Sequence, residues 1–264
     1  MTEAEFGRYR KEGFTVLRGL FGHAEIDRLR ERFTALHAAG PVPGHFEPRP
    51  AAPGGAADPL HAYPRVMQPH EIDATSLGVL LDTRLRTVLE TLLGEEVLAA
   101  QSMFYFKPPG ARGQALHQDN FYLRVEPGTC VAAWIACDAI DRDNGGLEVV
   151  PGTHRMDLFC PEEADRRVSF AREFVPPPPG LAAVPVDMAP GDVLFFNGSL
   201  VHGSGPNHTA DRFRRSFIGH YVGRSAERVG SYYRTLSMSG ARVPLPESEG
   251  AGPCGTEFAP HGPH

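Results

Sequence analysis

"ALHQDNFYL" (Ala115 to Leu123) sets a histidine and an aspartate two positions apart inside a run with the texture of a strand. Successive strand side chains point to opposite faces. A strand over 116–124 therefore puts His117 and Asp119 on one face, their ends close enough to hold a single metal ion. An apolar pair would bury better there. Alone, an H-x-D in a strand is weak, because the two residue types also meet by chance or pair structurally; the surrounding chain decides its meaning.

That surrounding chain is β-rich. From Val97 to Gly223, short β-like runs are separated by Gly, Pro, Asn and Asp. They predict strands near 97–107, 116–124, 129–138, 146–151, 183–187, 192–197, 199–203 and 214–222, about the number a jelly roll needs. Ahead of them the chain reads as helical with one strand. Thr2 and Glu5 fit a capping box, "GFTVLRGL" alternates as a strand, and Ile26, Leu29, Phe33 and Leu36 mark one face of a helix closed by Gly40. Leu77, Leu81, Leu85, Val88 and Leu92 space out one further helix closed by Gly94.

Two segments fit neither pattern. Eight prolines and four glycines between Gly40 and Pro69 predict a long ordered loop or a flap of the kind that covers sites. "CPEEADRRVSFAREFVPPPPG" (160–180) is too polar and Pro-rich for a barrel strand and is expected to insert at its mouth. The expected organisation is one mainly β domain over 1–245, with a helical scaffold at 1–95 and a jelly-roll core at 96–224. A flexible tail, 246–264, follows.

Composition excludes several classes. The net charge is -6 over 264 residues, so no basic footprint suggests a nucleic-acid partner or an anionic membrane surface. A small-molecule partner is expected. No apolar run approaches the ~20 residues of a membrane helix. "MTEAEFGRYR" lacks the apolar core of a signal peptide, which predicts a cytoplasmic protein. Cys130, Cys137, Cys160 and Cys254 form no C-x-x-C pair and are expected to be reduced thiols, two of them in a strand.

A third ligand stands in "GDVLFFNGSLVHGSGPN", where His202 falls on a strand pair that a jelly roll folds back beside the first. Two imidazoles and one carboxylate leave positions open on a metal, the arrangement suited to non-haem Fe(II) oxygenases. Arg214 follows twelve residues later in "RFRRSFIGHYV". Pointing inward on a strand, with Ser216, Ile218 and His220 on its face, it could pair bidentately with a dicarboxylate such as 2-oxoglutarate. Arg212 and Arg215 compete for that role, and Arg215 points outward if Arg214 points inward. "DNGGLEVVPGTH" reads as two tight turns. His154, His208 and His220 are left as structural or supporting residues.

Taken together, "LHQDNFY", "NGGLEVVPGTH", "PGDVLFFNGSLVHGSGPN" and "FRRSFIGHYV" resemble, in order and spacing, the phytanoyl-CoA dioxygenase family of Fe(II)- and 2-oxoglutarate-dependent oxygenases. The likeness covers about residues 5 to 224. It implies a double-stranded β-helix of cupin type, with iron held by His117, Asp119 and His202 and the distal carboxylate of 2-oxoglutarate held by Arg214. It further implies cosubstrate contacts from Met103, Trp134 and Ser204. For Trp134, core packing is the competing reading. Tyr105 and Lys107 share the strand face of Met103, although Lys107 could instead reach solvent at the turn, and Asn120 and Tyr122 could touch substrate or serve the turn and core.

The activity implied is hydroxylation of a small organic molecule, consuming O2 and releasing succinate and CO2. Asp119 disfavours halogenation, because halogenating relatives carry a small residue in its place. Two other readings keep the fold: a cupin-like isomerase or dioxygenase working without 2-oxoglutarate, and a catalytically silent binding protein. Neither long insert holds a basic cluster suited to coenzyme A, Arg166, Arg167 and Arg172 being the nearest approach. A free small molecule is the preferred substrate class.

Overall fold

The computed structural model describes residues 1–50, 58–249 and 252–256. Its strands are β1 (Phe14–Leu17), β2 (Val66–Met67), β3 (Val97–Tyr105), β4 (Gln114–His117), β5 (Val131–Ala136), β6 (Leu147–Val149), β7 (Glu162–Glu163), β8 (Glu173–Phe174), β9 (Val184–Pro185), β10 (Val193–Asn197), β11 (His202–Ser204), β12 (Ser216–Gly223) and β13 (Leu236–Ser237). The helices are α1 (Glu3–Glu12), α2 (His23–Ala39), α3 (Pro59–Ala62), α4 (Ala74–Leu80), α5 (Thr83–Leu93) and α6 (Asn120–Leu123). The major sheet runs β1-β10-β5-β12-β3-β13, with β2 also on β3, and the minor sheet runs β4-β11-β6-β9. All named strand pairs are antiparallel.

Alternation along the major sheet sorts its residues into two cores. On β5, Val131, Ala133 and Ile135 pack beneath the helices, whereas Ala132, Trp134 and Ala136 face the barrel interior. On β10, Val193 and Phe195 take the helical side while Leu194 and Phe196 point inward. The helices cover the first face through Ile26, Leu29, Phe33 and Leu36 of α2, with the Phe33 ring stacked on Phe104 at 3.7 Å. Each such side chain contributes about 1.5–3 kcal/mol on burial.

The longest strand does not keep one phase. A register shift where His220 and Tyr221 of β12 pair with Gln101 and Ala99 leaves Ala100 as an extra residue on β3. Val97 and Ala99 therefore pack under the helices on one side of the bulge, and Phe104 on the other, so that Met103 turns into the barrel.

Several expectations are corrected. The strand expected over 116–124 stops at His117, and a one-turn helix, α6, follows. The single helix expected to end at Gly94 is two, because Asp82 accepts from the Arg84 amide at 2.8 Å and caps a new start. The 160–180 insert carries β7 and β8, a sheet of its own. Within the Gly40–Pro69 segment α3 and β2 are ordered; residues 51–57 of that expected loop lie outside the described residues.

Cys160 and Cys254 are not reduced thiols: they form a disulfide with Cα atoms 5.6 Å apart. Their separation of 94 residues hides from the sequence that the C-terminal segment returns to the insert. Cys130 and Cys137 are free and buried, and flank β5 without lying in it. Of the expected tail, 250–251 and 257–264 lie outside the described residues, while Ser248 donates to the Arg124 carbonyl at 2.6 Å. Among the described residues no helix is long and apolar enough to cross a membrane.

Candidate metal centre and cosubstrate chamber

The minor sheet brings two histidines face to face. β4 and β11 pair so that His117 and His202 are direct partners, with ring centroids 4.3 Å apart. Each ring is oriented the same way: Nδ1 of His117 lies 2.9 Å from the Ala115 carbonyl, and Nδ1 of His202 lies 3.0 Å from that of Leu200. A carbonyl accepts only, so each Nδ1 carries the proton and each Nε2 presents its lone pair to the barrel.

Asp119 arrives differently from the strand argument. Its backbone is helical (φ -61°, ψ -36°), it stands at the N-cap of α6, and its side chain makes no cap hydrogen bond. Both carboxylate oxygens are thus left for other partners. Oδ2 accepts from His220 Nε2 at 3.0 Å, and Oδ1 lies 3.5 Å from His117 Nε2 and 3.6 Å from His202 Nε2. These last spacings are long for hydrogen bonds. They suit three donors each reaching about 2.1 Å to a common cation. His117, Asp119 and His202 are all buried, and one ligand atom from each lies within 4.8 Å of the others.

Electrostatics favours the same occupant. Burial alone would raise the Asp119 carboxyl, but the imidazoles of His202 and His220 and the hydrogen bond from His220 outweigh it and hold it well below the usual carboxylate range. Burial pushes His202 down to about 4. At neutral pH the centre is therefore an ionised carboxylate beside a neutral imidazole, the donor state a divalent cation needs. The residues present fit such an ion.

The triad shares its chamber with a cation that pairs with no carboxylate among the described residues. Arg214, just before β12, is only 3% exposed, and its Nη1 donates to Ser216 Oγ at 3.0 Å. Its Nε has no partner, and its guanidinium sits 5.2 Å from the Trp134 ring and 5.8 Å from Tyr105. Burial pulls its pKa down to about 10. The neighbouring arginines are neutralised elsewhere, Arg215 by Asp138 at 2.7 Å and Arg212 by Asp141. A buried charge left this way is costly, so the chamber is built to receive an anion.

Lys107 does not reach solvent as one expectation allowed. It is buried, and its ammonium donates to the Gly145 carbonyl and Ser204 Oγ, both at 2.9 Å, and to the Gly205 carbonyl. Ser204 Oγ also accepts from the Gln114 amide at 3.3 Å. With its lone pairs engaged, the Ser204 hydroxyl keeps its proton to donate into the chamber.

One chamber is lined by the seven residues expected to meet the metal or the cosubstrate: Met103, His117, Asp119, Trp134, His202, Ser204 and Arg214. Trp134 faces this chamber from β5 and also packs in the inner core. Asn120 serves its turn, its side chain bonding Gly128 and Val125. Sequence reasoning missed Gln114, whose side-chain nitrogen lies 3.0 Å from His117 Nε2, and left the Asp119 partner His220 unassigned. The i+2 spacing of Ile218 and His220 on β12 was the signal available for the latter.

Comparison with known proteins agrees with this geometry. The family model for phytanoyl-CoA dioxygenase (PhyH) matches residues 9–216. The peroxisomal phytanoyl-CoA dioxygenase of Mus musculus is 29% identical over 226 residues, covering 81% of this chain and 66% of that protein. The chain thus spans just under two thirds of that relative. A probable phytanoyl-CoA dioxygenase of Caenorhabditis elegans is 32% identical over 150 residues, covering 51% and 46% of the two chains. Among solved structures, the epimerase SnoN in complex with Fe3+, α-ketoglutarate and nogalamycin RO has a TM-score of 0.65 at 23% identity, covering 85% of this chain and 84% of its own. The carbocyclase SnoK from nogalamycin biosynthesis has 0.68 at 20%, covering 86% of each. The architecture is the cupin-like double-stranded β-helix, and with most of its length matched the chain belongs to the phytanoyl-CoA dioxygenase family of Fe(II)- and 2-oxoglutarate-dependent oxygenases.

Proposed function

We propose that this protein is a non-haem Fe(II)- and 2-oxoglutarate-dependent dioxygenase that hydroxylates a small organic molecule with release of succinate and CO2. The observation that carries the reading is the pairing, in one chamber, of a His-Asp-His donor set with a buried arginine that has no carboxylate partner among the described residues. His117, Asp119 and His202 would hold the metal. Bound there with 2-oxoglutarate and O2, iron supplies the oxidising power for cleavage of a C–H bond.

The chain's own groups do the rest. Arg214 offers two parallel N–H groups to the distal carboxylate of 2-oxoglutarate, and Ser204 donates its hydroxyl beside them. Lys107 fixes the Ser204 oxygen. Trp134 and Met103 wall the chamber and keep water from it, and His220 holds the outer oxygen of Asp119 so that the inner one faces the metal. Two neighbours in fold are named as an epimerase and a carbocyclase, so the same C–H cleavage could end in rearrangement in place of hydroxylation. A single catalytic domain over 1–245 and a cytoplasmic location belong to this proposal as well; the Cys160–Cys254 disulfide is the one feature that argues against a reducing compartment.

The test is an anaerobic titration of metal-free protein with Fe(II) and 2-oxoglutarate, following the visible charge-transfer band of the chelated cosubstrate. The band is expected in the native protein. Iron binding with no band would instead support a cupin that works without 2-oxoglutarate.

A further inference from the structure

A second cavity, of about 180 Å³, adjoins the chamber and shares Tyr105 and Arg214 with it as a wall. It is bordered by the segment around α3 on one side and by Phe170 of the 160–180 insert on the other. Four cationic side chains border it, and three are committed. Arg214 faces the chamber, Lys107 is saturated by its three acceptors, and Arg112 pairs with Asp58 at 2.8 Å.

Arg65 is the fourth. Its guanidinium lies over two rings, 5.3 Å from the centroid of Phe170 and 5.8 Å from that of Tyr105. Its one hydrogen bond goes to the Tyr105 hydroxyl at 3.2 Å, and among the described residues no carboxylate pairs with it. A guanidinium held by aromatic faces keeps its edge N–H groups free in the plane, the geometry that receives a carboxylate. The remaining wall is apolar, with Leu60, Tyr63, Pro64 and Phe106.

We propose that Arg65 anchors a carboxylate of the substrate, and that the substrate class is small organic acids with an apolar body about one ring in size. A cavity of about 150 Å³ already takes a benzene molecule, so this one has room to seat a ring-sized body. With Lys107, Arg112 and Arg214 committed, it offers too few free cations for the phosphates of a coenzyme A ester. The inference rests on the oxygenase reading, since the shared Tyr105 wall is what would set the acid's body toward the metal ligands.

The experiment uses the full chain, anaerobic, with Fe(II) and saturating 2-oxoglutarate. Benzoate, phenylacetate and hexanoate are each titrated against the corresponding primary amide and against hexanoyl-coenzyme A, reading both the charge-transfer band and the heat of binding. Acids are expected to bind about ten- to hundredfold more tightly than their amides. That preference is expected to vanish in Arg65→Met and to persist in Arg65→Lys, which keeps the charge and guards against a loss caused by misfolding. Absence of the band in the native protein would sink the oxygenase reading itself. With the band present, the Arg65 proposal is overturned by equal binding of acids and amides, by no binding of either series, by preference for the coenzyme A ester, or by a raised 2-oxoglutarate requirement in Arg65→Met. The last result would assign Arg65 to the cosubstrate.

Discussion

The inner chamber and the outer cavity meet at Tyr105 and Arg214 yet are built by different means. Strands and strand ends supply the chamber: β4 and β11 set the two histidines by register, β5 sets Trp134, and the residues ahead of β12 set Arg214. Loops supply the cavity, through the α3 segment and the insert that carries β7 and β8. The chamber fixes its donors to within a hydrogen bond, as the Nδ1 contacts of both histidines show. The cavity's cation is held only by two ring faces and one phenol. Groups that must meet a metal and a cosubstrate are rigidly placed, whereas the surface that would meet the substrate rests on chain that can be exchanged without disturbing the barrel.

Substitutions can break that contrast or sharpen it. Asp119→Ala should have the largest effect, abolishing turnover and lowering Fe(II) affinity beyond the roughly 10–100-fold typical of an outer partner, as read by metal titration. Normal turnover in that variant would remove the triad assignment. Arg214→Ala should raise the 2-oxoglutarate concentration needed for the charge-transfer band by about a hundredfold while leaving iron binding in place. His220→Ala should weaken Fe(II) binding by about 10-fold, with partial recovery in His220→Gln, because only the hydrogen bond to Asp119 Oδ2 is lost. The smallest effect is expected in the loop region. Cys254→Ser should leave the metal and cosubstrate titrations unchanged and lower the melting temperature by about 4–15 °C, since the tie closes a loop of 94 residues and its loss frees unfolded-chain entropy. A larger drop would show that the insert supports the barrel.

Much of the chamber was legible because its chemistry needs particular residue types at short spacings. His117 and Asp119 were found through a strand that ends two residues short of Asp119; the carboxylate still reaches the site because Asp119 declines its capping bond. Arg214 was legible from its neighbours, and the outward placement of Arg215 followed from it. The leucine periodicity ran straight through the break at Asp82, since a cap interrupts the backbone without interrupting the apolar stripe. Arg65, Gln114 and the Cys160–Cys254 pair left no local signal. The partners of Arg65 and of Cys160 are remote in sequence, a lone arginine in a Pro-rich loop is indistinguishable from a solvated charge until Phe170 is seen beside it, and Gln114, three residues from His117, has no feature that sets it apart from a solvated strand-end amide.

The extra residue at Ala100 makes the length of β3 part of the catalytic design. A chain lacking one residue between Val97 and Ala100 would keep every recognisable motif, from "LHQDNFY" to "FRRSFIGHYV". If the strand then kept its bulge and its phase at the Val97 end, Phe104 would be turned into the chamber, and Met103 and Tyr105 toward the helices. By its motifs such a chain would still be taken for a working relative, although the wall between cosubstrate and substrate would be gone. Deletion scanning of this strand is therefore a sharper probe of function than substitution at any one of its side chains.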